Sequence, residues 1–441
     1  MIQILKHPAY ARLFSAQVVA LLGTGLMTVA LGLLAFDLAG DRAGAVLGTA
    51  YAIKMVAYVG LSPVMAAIAV TLPRKAVLIG ADLIRASVAL ALPFITEIWH
   101  IYALIFLLQA ASATFTPVFQ ATIPDILPDE GDYTRALSLS RLAYDLENLL
   151  SPTIAALLLT VMSFHGLFSG TVIGFLISAA LVLSAAVPPQ TQATRPQPFR
   201  ERLTRGSRIY LATPRLRGLL SLNLAVAAVG AFVLVNTVVL AKSTYGLDDS
   251  ALAMAMAAFG LGSMAAALIL PRLLDRLSDR QVMMPAGIAL VILSLGAAAW
   301  MSVALPPWNA ILLLWALIGV AWSAVLTPSG RLLRVSSHEA DRPALFAAQF
   351  ALSHACWLVT YPLAGALGPR IGLPATMAVL GLMALIGVGL ARWFWPAGTP
   401  DAPLHDHPDL ASDHPHMRDH GSQHVHVFVI DDDHHRWPTQ G

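Results

Sequence analysis

The chain of 441 residues is 57% hydrophobic and only 12% charged, with a formal net charge of +2 and a mean hydropathy of +0.71. Soluble globular domains carry about 25% charged residues, so this composition excludes a water-soluble protein. The apolar residues occur in stretches of roughly 20, the length at which a helix crosses a ~30 Å hydrocarbon core. Because these stretches are apolar on every face, they exclude the alternating strands of a membrane barrel. The single cysteine, Cys356, excludes an intrachain disulfide.

We predict an all-α integral membrane protein with twelve transmembrane helices. The N-terminal residues lack the apolar core and cleavage site of a signal peptide, so we expect the first apolar stretch to be retained. A polar segment in the middle contains seven arginines and one glutamate. With six spans on each side of this segment, we predict that the chain has four parts. These are an N-terminal six-helix bundle (1–187), a cytoplasmic linker (188–217), a C-terminal six-helix bundle (218–395) and a disordered tail (396–441). The predicted spans are 14–36, 44–72, 76–96, 101–123, 136–161, 167–187, 218–241, 250–271, 281–303, 308–330, 343–366 and 371–395.

Positive residues are distributed unequally over the loops. Twenty-one of the 27 Lys and Arg residues lie in the N-terminus, alternate loops, the linker and the tail, counting Arg392 at the end of the last span. The intervening loops contain only Arg42, Lys242 and Arg370. Since cytoplasmic loops retain positive charge, we expect both termini to be cytoplasmic.

The two halves share sequence features at nearly the same offset, 211 residues for one pair and 210 for the other. Thr116-Pro117 in the fourth span recurs as Thr327-Pro328 in the tenth, and Pro152 in the fifth recurs as Pro362 in the eleventh. Together with six spans on each side of a basic linker, this pattern resembles the major facilitator superfamily over residues 1–395. The resemblance implies two bundles that bind substrate at their interface near the membrane midplane.

A family signature with an Asp-Arg pair normally connects the second and third spans. Here that loop lacks the pair, but its second copy, between the eighth and ninth spans, contains Asp275-Arg276 and Asp279-Arg280. The resemblance implies that this second loop locks and releases the cytoplasmic gate. The alternative is a solvated loop whose charges only set the orientation.

Asp82 and Arg85 in the third span resemble the Asp-x-x-Arg sequence of the drug-exporter branch that includes macrolide and enterobactin exporters. Residues three apart share a helix face, so an intrahelical ion pair is expected. We interpret this pair as part of the gate structure in preference to a substrate site.

The fifth predicted span contains the richest set of polar residues within the membrane. Arg141, Asp145 and Asn148 share one helix face, whereas Glu147 points to another. Charges inside a bilayer are costly and normally face a cavity, so each is a candidate for function. We expect Arg141 and Asp145 to form a neutral structural unit and Glu147 to carry protons or ligand. Lys54 in the second span either pairs with one of these carboxylates or reaches an interface.

A histidine lies within the eleventh predicted span. His354 shares a helix face with Trp357 and Tyr361. An intramembrane imidazole can bind metal or transfer protons, or it can form a structural hydrogen bond. We include it among the candidate transport residues.

The tail has a composition unlike the rest of the chain. It contains nine of the fourteen histidines and, between positions 401 and 433, eight aspartates. Imidazole suits zinc, copper and nickel, and short His-rich tracts are typical of metal binding. A purification tag is the alternative, but a tag is an uninterrupted histidine run. The predicted metal ligands are His405, His407, His414, His416, His420, His424, His426, His434 and His435.

A major-facilitator body with such a tail resembles the NreB-type nickel-resistance permeases of bacteria. The resemblance implies a transporter in the bacterial inner membrane that exports Ni²⁺, and possibly Co²⁺, in exchange for protons. Its expected partners are the metal ion, protons and the lipid bilayer, with no nucleic acid and no resident cofactor, and a monomeric state is expected. No phosphate loop, nucleophile elbow or zinc-protease motif is found, so no enzyme activity is expected.

Two alternatives remain at this point. The same fold exports organic drugs or siderophores in the branch that Asp82 and Arg85 resemble. A membrane metal sensor or sequestering protein would use the tail to signal and would carry nothing. Neutralising Glu147 separates a carrier from a sensor, because only a carrier depends on a carboxylate within the membrane.

Overall fold

A computed structural model describes residues 2–39, 43–69, 71–189, 198–398, 402–406, 423–425, 428–431, 434 and 436–438. The protein is almost entirely helical, as the sequence predicts. The helices are α1 Pro8–Ala39, α2 Ala43–Ala69, α3 Arg74–Ala91, α4 Ile98–Ile126, α5 Glu130–Leu159, α6 Phe164–Ser184, α7 Phe199–Ala212, α8 Pro214–Val239, α9 Asp249–Leu274, α10 Asp279–Val303, α11 Trp308–Leu326, α12 Ser329–Val335, α13 Arg342–Ile371 and α14 Leu373–Phe394. Short strands β1, Leu404–Asp406, and β2, Gln423–Val425, lie in the tail.

Eleven candidate membrane spans in the described part of the chain are long and apolar enough to cross a bilayer. They correspond to eleven of the twelve predicted spans. The fifth predicted span forms α5, a helix of 30 residues that is long enough to cross but carries more polar residues than the others. It lies between α1 and α9, so protein surrounds much of it. Polar residues in α5 therefore face other helices, where a lipid-exposed span would be apolar.

The same helix packings occur in both halves. In the first half α1 packs on α6, α3 on α6 and α2 on α4. In the second half the equivalent helices do the same: α8 packs on α14, α10 on α14 and α9 on α11. Contacts between the halves are made mainly by α5 with α9 and by α2 with α13. These two pairs form the interface at which the family resemblance places the substrate.

Glycines allow the closest of these packings. A Cβ atom on Gly262 of α9 would lie 1.9 Å from the carbonyl oxygen of Ala316 in α11, and one on Gly319 would lie 2.0 Å from that of Phe259. Membrane helices associate through small residues of this kind, because lipid supplies no hydrophobic driving force between them.

The segment predicted as the linker contains a helix. Its residues Phe199–Ala212 form helix α7, and α8 begins at Pro214, four residues before the predicted span. The helix packs on α13 of the second half and also contacts α2 of the first. Arg205 anchors it through an ion pair with Asp341 at the start of α13. The segment is therefore a strap across both halves, held mainly by the second.

The described part of the tail also differs from the disordered segment expected. Strands β1 and β2 pair antiparallel, with His405 opposite His424 in the register. Residues 428–430 are buried, and Phe428 and Ile430 join the apolar core of the second half. His407, His414, His416, His420, His426 and His435 lie outside the described residues.

Candidate functional site

An acidic residue at the end of α4 connects the two halves. Asp125 Oδ2 accepts a hydrogen bond from Arg74 Nη1 of α3 at 2.5 Å, and Asp125 Oδ1 binds Arg342 of α13. All three side chains are largely buried, at 11% exposure or less. We call this end of the molecule, where α4 leads into α5 and α12 into α13, the basic end. Breaking the Asp125–Arg342 contact is required before the halves can separate here.

Helix α12 makes a second set of contacts across the same end. Arg331 Nη1 donates to Thr134 Oγ1 at 2.8 Å, and its other nitrogen binds Glu130, both on α5. Arg334 donates to the carbonyl oxygen of Pro128, which precedes α5. Asp279 Oδ1 lies 3.0 Å from Arg331 Nε and so orients this arginine. These contacts close the interface between the halves at the basic end.

The four predicted gate residues of the loop between α9 and α10 have different surroundings in the structure. Asp279 joins the network just described through Arg331. Arg280 Nε donates to the carbonyl oxygen of Trp395 at 2.8 Å, where α14 ends. Asp275 and Arg276 are exposed after α9. The residues that reach the other half, Asp125 among them, come from elements that the loop motif does not include.

The Asp82–Arg85 pair is buried inside the first half. Its two side chains form an ion pair, and Ser178 of α6 donates to Asp82 Oδ2 at 2.8 Å. The Arg85 guanidinium lies over the rings of Phe115 and Phe175, 4.3 and 4.7 Å from their centroids. Every partner named here belongs to the first half. These contacts suit a unit that holds α3, α4 and α6 together.

One polar face of α5 points to the second half. Arg141 Nη2 and Asp145 Oδ1 lie 2.8 Å apart, as their spacing predicts. Arg141 Nε also donates to Ser263 Oγ of α9 at 3.0 Å, and its guanidinium lies 5.3 Å from the centroid of Trp322 in α11. The pair is thus part of the interface between the halves. The side chain of Asn148, the third residue predicted on this face, lies outside the described part of the structure.

The other polar face of α5 carries Glu147. Its carboxylate is half-buried beside Gly25 of α1, where an added Cβ would lie 3.2 Å from Glu147 Oε1. Lys54 of α2 is close enough to interact electrostatically with Glu147 and with His354 of α13. Three membrane helices therefore bring an acid, an ammonium group and an imidazole into one electrostatic environment.

Tyr58 contacts two of these groups, Lys54 and His354. Lys54 Nζ lies 5.6 Å from the centroid of the Tyr58 ring, and that ring meets the imidazole of His354 edge-on at 4.8 Å. His354 Nδ1 lies 2.7 Å from the carbonyl oxygen of Phe350, so it must carry the proton and donate it. In this tautomer Nε2 is the nitrogen that can accept a proton or bind a metal ion.

The second half contains an aromatic cluster that lies next to Arg141 of α5. Phe259, Trp322, Trp357 and Tyr361 form a chain with ring centroids 4.5, 5.9 and 4.9 Å apart. The sequence predicts that Trp357 and Tyr361 share a face with His354. Phe259 and Trp322 come from α9 and α11, so no periodicity within one helix could have found them. Aromatic faces suit organic and cationic groups.

One tail residue, Asp431, reaches a loop of the transporter body and is also held by a second tail residue, His434. His338 Nε2 lies 3.0 Å from Asp431 Oδ2, and His434 Nδ1 lies 2.8 Å from Asp431 Oδ1. The hydrogen bond with Asp431 raises the pKa of His338. Burial alone would raise the pKa of Asp431, but its hydrogen bonds with the two histidines hold it well below its usual range. Among the described residues, no group of three or more His, Cys, Asp or Glu has the arrangement of a metal site.

A family model described as Major Facilitator Superfamily matches residues 13–248 and 219–414. These ranges include both six-helix halves and the linker between them. The chain belongs to the Major Facilitator Superfamily. The equivalent packings of the two halves are those of such a transporter, and the interface formed by α5, α9, α2 and α13 is its candidate substrate path.

Curated relatives within the superfamily match parts of the chain. Macrolide efflux protein A of Enterococcus faecalis is 28% identical over 26% of this chain and 37% of its own length. Macrolide efflux protein A of Streptococcus pyogenes is 24% identical over 40% of this chain and 44% of its own length. The uncharacterized MFS-type transporter YfiS of Bacillus subtilis is 25% identical over 55% of this chain and 58% of its own length. The matched region thus spans about half the length of these relatives.

Solved structures share the superfamily fold over nearly their whole length. The human organic anion transporter MFSD10 has a TM-score of 0.73 and 13% identity, with 87% of this chain and 99% of that chain covered. A bacterial homologue of the iron transporter ferroportin, in an outward-facing state, has a TM-score of 0.70 and 15% identity. The match covers 88% of this chain and 98% of that chain. The Escherichia coli fucose:proton symporter has a TM-score of 0.64 and 16% identity. The match covers 87% of this chain and 98% of that chain. At these identities the likeness establishes the fold.

Proposed function

We propose that this facilitator exports a divalent metal ion, Ni²⁺ and possibly Co²⁺, from the bacterial cytoplasm in exchange for protons. The observation that carries the proposal is the tail, in which nine histidines and eight aspartates follow a transporter body. Imidazole-rich tracts suit nickel, copper and zinc, and NreB-type nickel permeases combine the same two parts. The protein is thus a secondary transporter with a metal-capturing extension.

The distribution of positive charge supports the orientation. The basic end carries Arg74, Arg331, Arg334 and Arg342, and the other Lys- and Arg-rich loops belong to the same alternate set. Because basic loops stay in the cytoplasm, the basic end faces it, and the tail meets metal there before export. The contacts of Asp125 and Arg331 across the halves then close the cytoplasmic side.

Glu147 is the proposed coupling residue. Its carboxylate and the Nε2 atom of His354, both within electrostatic range of Lys54, are of the oxygen and nitrogen ligand types that a first-row divalent ion prefers. Lys54 supplies the counter-charge when no metal is bound. The proton of Glu147 leaves to the cytoplasm, metal then binds the ionised carboxylate in place of the Lys54 ammonium group, and a proton entering from outside binds the carboxylate and releases the metal. One site thereby holds metal or protons alternately, which is the requirement for exchange.

Radioactive ⁶³Ni²⁺ uptake into everted, proton-energised membrane vesicles tests this proposal. The comparison includes the intact protein, a version ending at Pro400, Glu147→Gln, and Glu97→Gln as a control at an exposed carboxylate outside the membrane core. We expect proton-dependent uptake by the intact protein and by the control, weakened uptake after truncation, and none in Glu147→Gln. Uptake that tolerates Glu147→Gln overturns the coupling role. No uptake by well-inserted intact protein overturns metal transport and favours an organic cargo or a sensor.

Export of an organic cation is the second candidate function, and two specific observations favour it. The aromatic cluster of Phe259, Trp322, Trp357 and Tyr361 borders the interface between the halves, and the curated relatives include macrolide efflux proteins. Aromatic faces next to a carboxylate bind organic cations. The same vesicles, incubated with a fluorescent organic cation in the medium, distinguish the two. Accumulation that Trp322→Ala abolishes, with no nickel uptake, favours the organic cargo.

A further inference from the structure

The tail returns to the body of the transporter at a defined place. Its described residues 428–431, 434 and 436–438, which we call the clasp, pack at the basic end of the second half. Phe428 is 2% exposed and joins the apolar core of that half, with Trp437 packed against it. The guanidinium of Arg215, in the first turn of α8, lies 5.4 Å from the Trp437 ring centroid and donates to the carbonyl oxygen of Phe428 at 3.4 Å. The clasp therefore has a built binding surface.

The beginning of the tail is fixed next to the same turn. Trp395, where α14 ends, packs against Gly218 so closely that a Cβ on the glycine would lie 2.7 Å from the Trp395 side chain. Gly218 follows Arg215 by three residues, which is one helical turn. Seven of the nine tail histidines lie between Trp395 and the clasp. The described residues on either side of the His-rich tract, Trp395 and Phe428, therefore both contact the first turns of α8.

The clasp also holds the loop that follows α12. Asp431 Oδ2 of the clasp lies 3.0 Å from His338 Nε2 of this loop, and Arg215 of α8, which donates to the carbonyl oxygen of Phe428, also donates through Nε to Ser336 Oγ at 2.7 Å. The same loop ends at Asp341, which binds Arg205 of the strap helix, and is followed by Arg342, which binds Asp125 of the first half. The tail, the strap and the contact between the halves are therefore connected through residues 336–342.

We propose that the clasp is an intramolecular partner of residues 336–342 that biases the interface between the halves toward closure at the basic end. A docked clasp fixes the loop and with it the position of Arg342 opposite Asp125. Release of the clasp frees the loop and lowers the free-energy difference between the closed and open states. A further step, in which metal held by the histidines between Trp395 and the clasp releases the clasp, rests on the proposed function of the tail.

Cysteine labelling tests the clasp without any transport measurement. Leu137 of α5 packs against Gly330 of α12 across the two halves, so a cysteine there is shielded when the basic end is closed. Leu137→Cys is introduced after the native cysteine is removed by Cys356→Ser. Labelling by a membrane-impermeant maleimide is then measured in everted vesicles. We expect Asp431→Asn and Phe428→Ala to increase the labelling rate by about fivefold.

Asp406→Asn is the matched control, because Asp406 is an exposed tail carboxylate in β1. It is expected to leave the labelling rate unchanged. Size-exclusion chromatography and thermal unfolding in detergent verify that all variants are folded. Equal labelling rates in the clasp variants and the parent overturn the proposal.

Labelling in the presence of added Ni²⁺ tests the clasp proposal and the function proposed for the tail independently of each other. If nickel accelerates labelling of the parent but not of Asp431→Asn, the clasp couples metal to the gate. If the clasp variants are labelled faster but nickel has no effect, the clasp stands and the metal step fails. If nickel accelerates the parent and Asp431→Asn equally, metal acts elsewhere and the coupling through the clasp is overturned.

Discussion

The two polar faces of α5 show how position within a fold separates structural charges from functional ones. Arg141 and Asp145 point to the second half, where each charge meets the other and Ser263 adds a hydrogen bond. Glu147, two residues after Asp145, points to α1 and α2, where Lys54 provides the opposing charge without the close geometry of an ion pair. A paired charge is costly to disturb, whereas a carboxylate without such a pair can exchange protons for ligand. Substitutions on the two faces should therefore affect different properties.

The largest effect is expected from Glu147→Gln. The amide keeps the size of the side chain but cannot exchange a proton, so the initial rate of proton-driven nickel uptake should fall by about 1,000-fold. Thermal unfolding in detergent should stay close to that of the parent. If the variant retains more than a tenth of the parent rate, the coupling group lies elsewhere. The Glu147 face of α5 would then have no special role in transport.

Asp145→Ala, in contrast to Glu147→Gln, should lower the stability of the protein. It leaves the largely buried Arg141 without its carboxylate, a change that costs about 3 kcal/mol in proteins. We expect a clearly lower midpoint of thermal unfolding. The double variant Arg141→Leu with Asp145→Leu should recover most of the loss, because no charge then remains unpaired. If the double variant is less stable than Asp145→Ala, the pair contributes more than mutual neutralisation.

Lys54 sharpens the comparison, because it belongs to the Glu147 face but is not itself the proton carrier. Lys54→Met should lower the rate of metal uptake about tenfold, because the empty site then has no counter-charge. Lys54→Arg should retain most of the rate. Equal rates in Lys54→Met and the parent would indicate that the ammonium group reaches an interface and takes no part in exchange.

The smallest effect is expected from Trp322→Leu on the paired face. Loss of the ring beneath Arg141 removes a cation–π contact of about 1 kcal/mol. The unfolding midpoint should decrease slightly, and nickel uptake should change less than twofold. A large loss of organic-cation transport in this variant, with nickel transport absent, would instead identify the aromatic cluster as the substrate site.

Short-range features of the site follow from the sequence alone. Asp82 with Arg85, and Arg141 with Asp145, are spaced to share a helix face, and the structure contains both ion pairs. The number of long apolar segments predicts twelve helices, and the structure contains a helix at each. The polar composition of α5 also predicts that it lies among other helices. In each case the physical cause acts within one helix or within one lipid-facing segment, so periodicity and composition are sufficient.

Contacts between distant segments were decided only by the tertiary structure. Asp125 and Arg342 are 217 residues apart, and His338 and Asp431 are 93 apart. No periodicity connects such residues, because their proximity depends on how the two halves pack. For the same reason the contribution of Phe259 and Trp322 to the aromatic cluster was missed, whereas helix α7 in the linker is a local element whose own amphipathic pattern could have predicted it. Composition alone predicts a metal-binding tail, whereas the clasp depends on Phe428 and Trp437 meeting Arg215 of α8, which is held by Ser336 after α12.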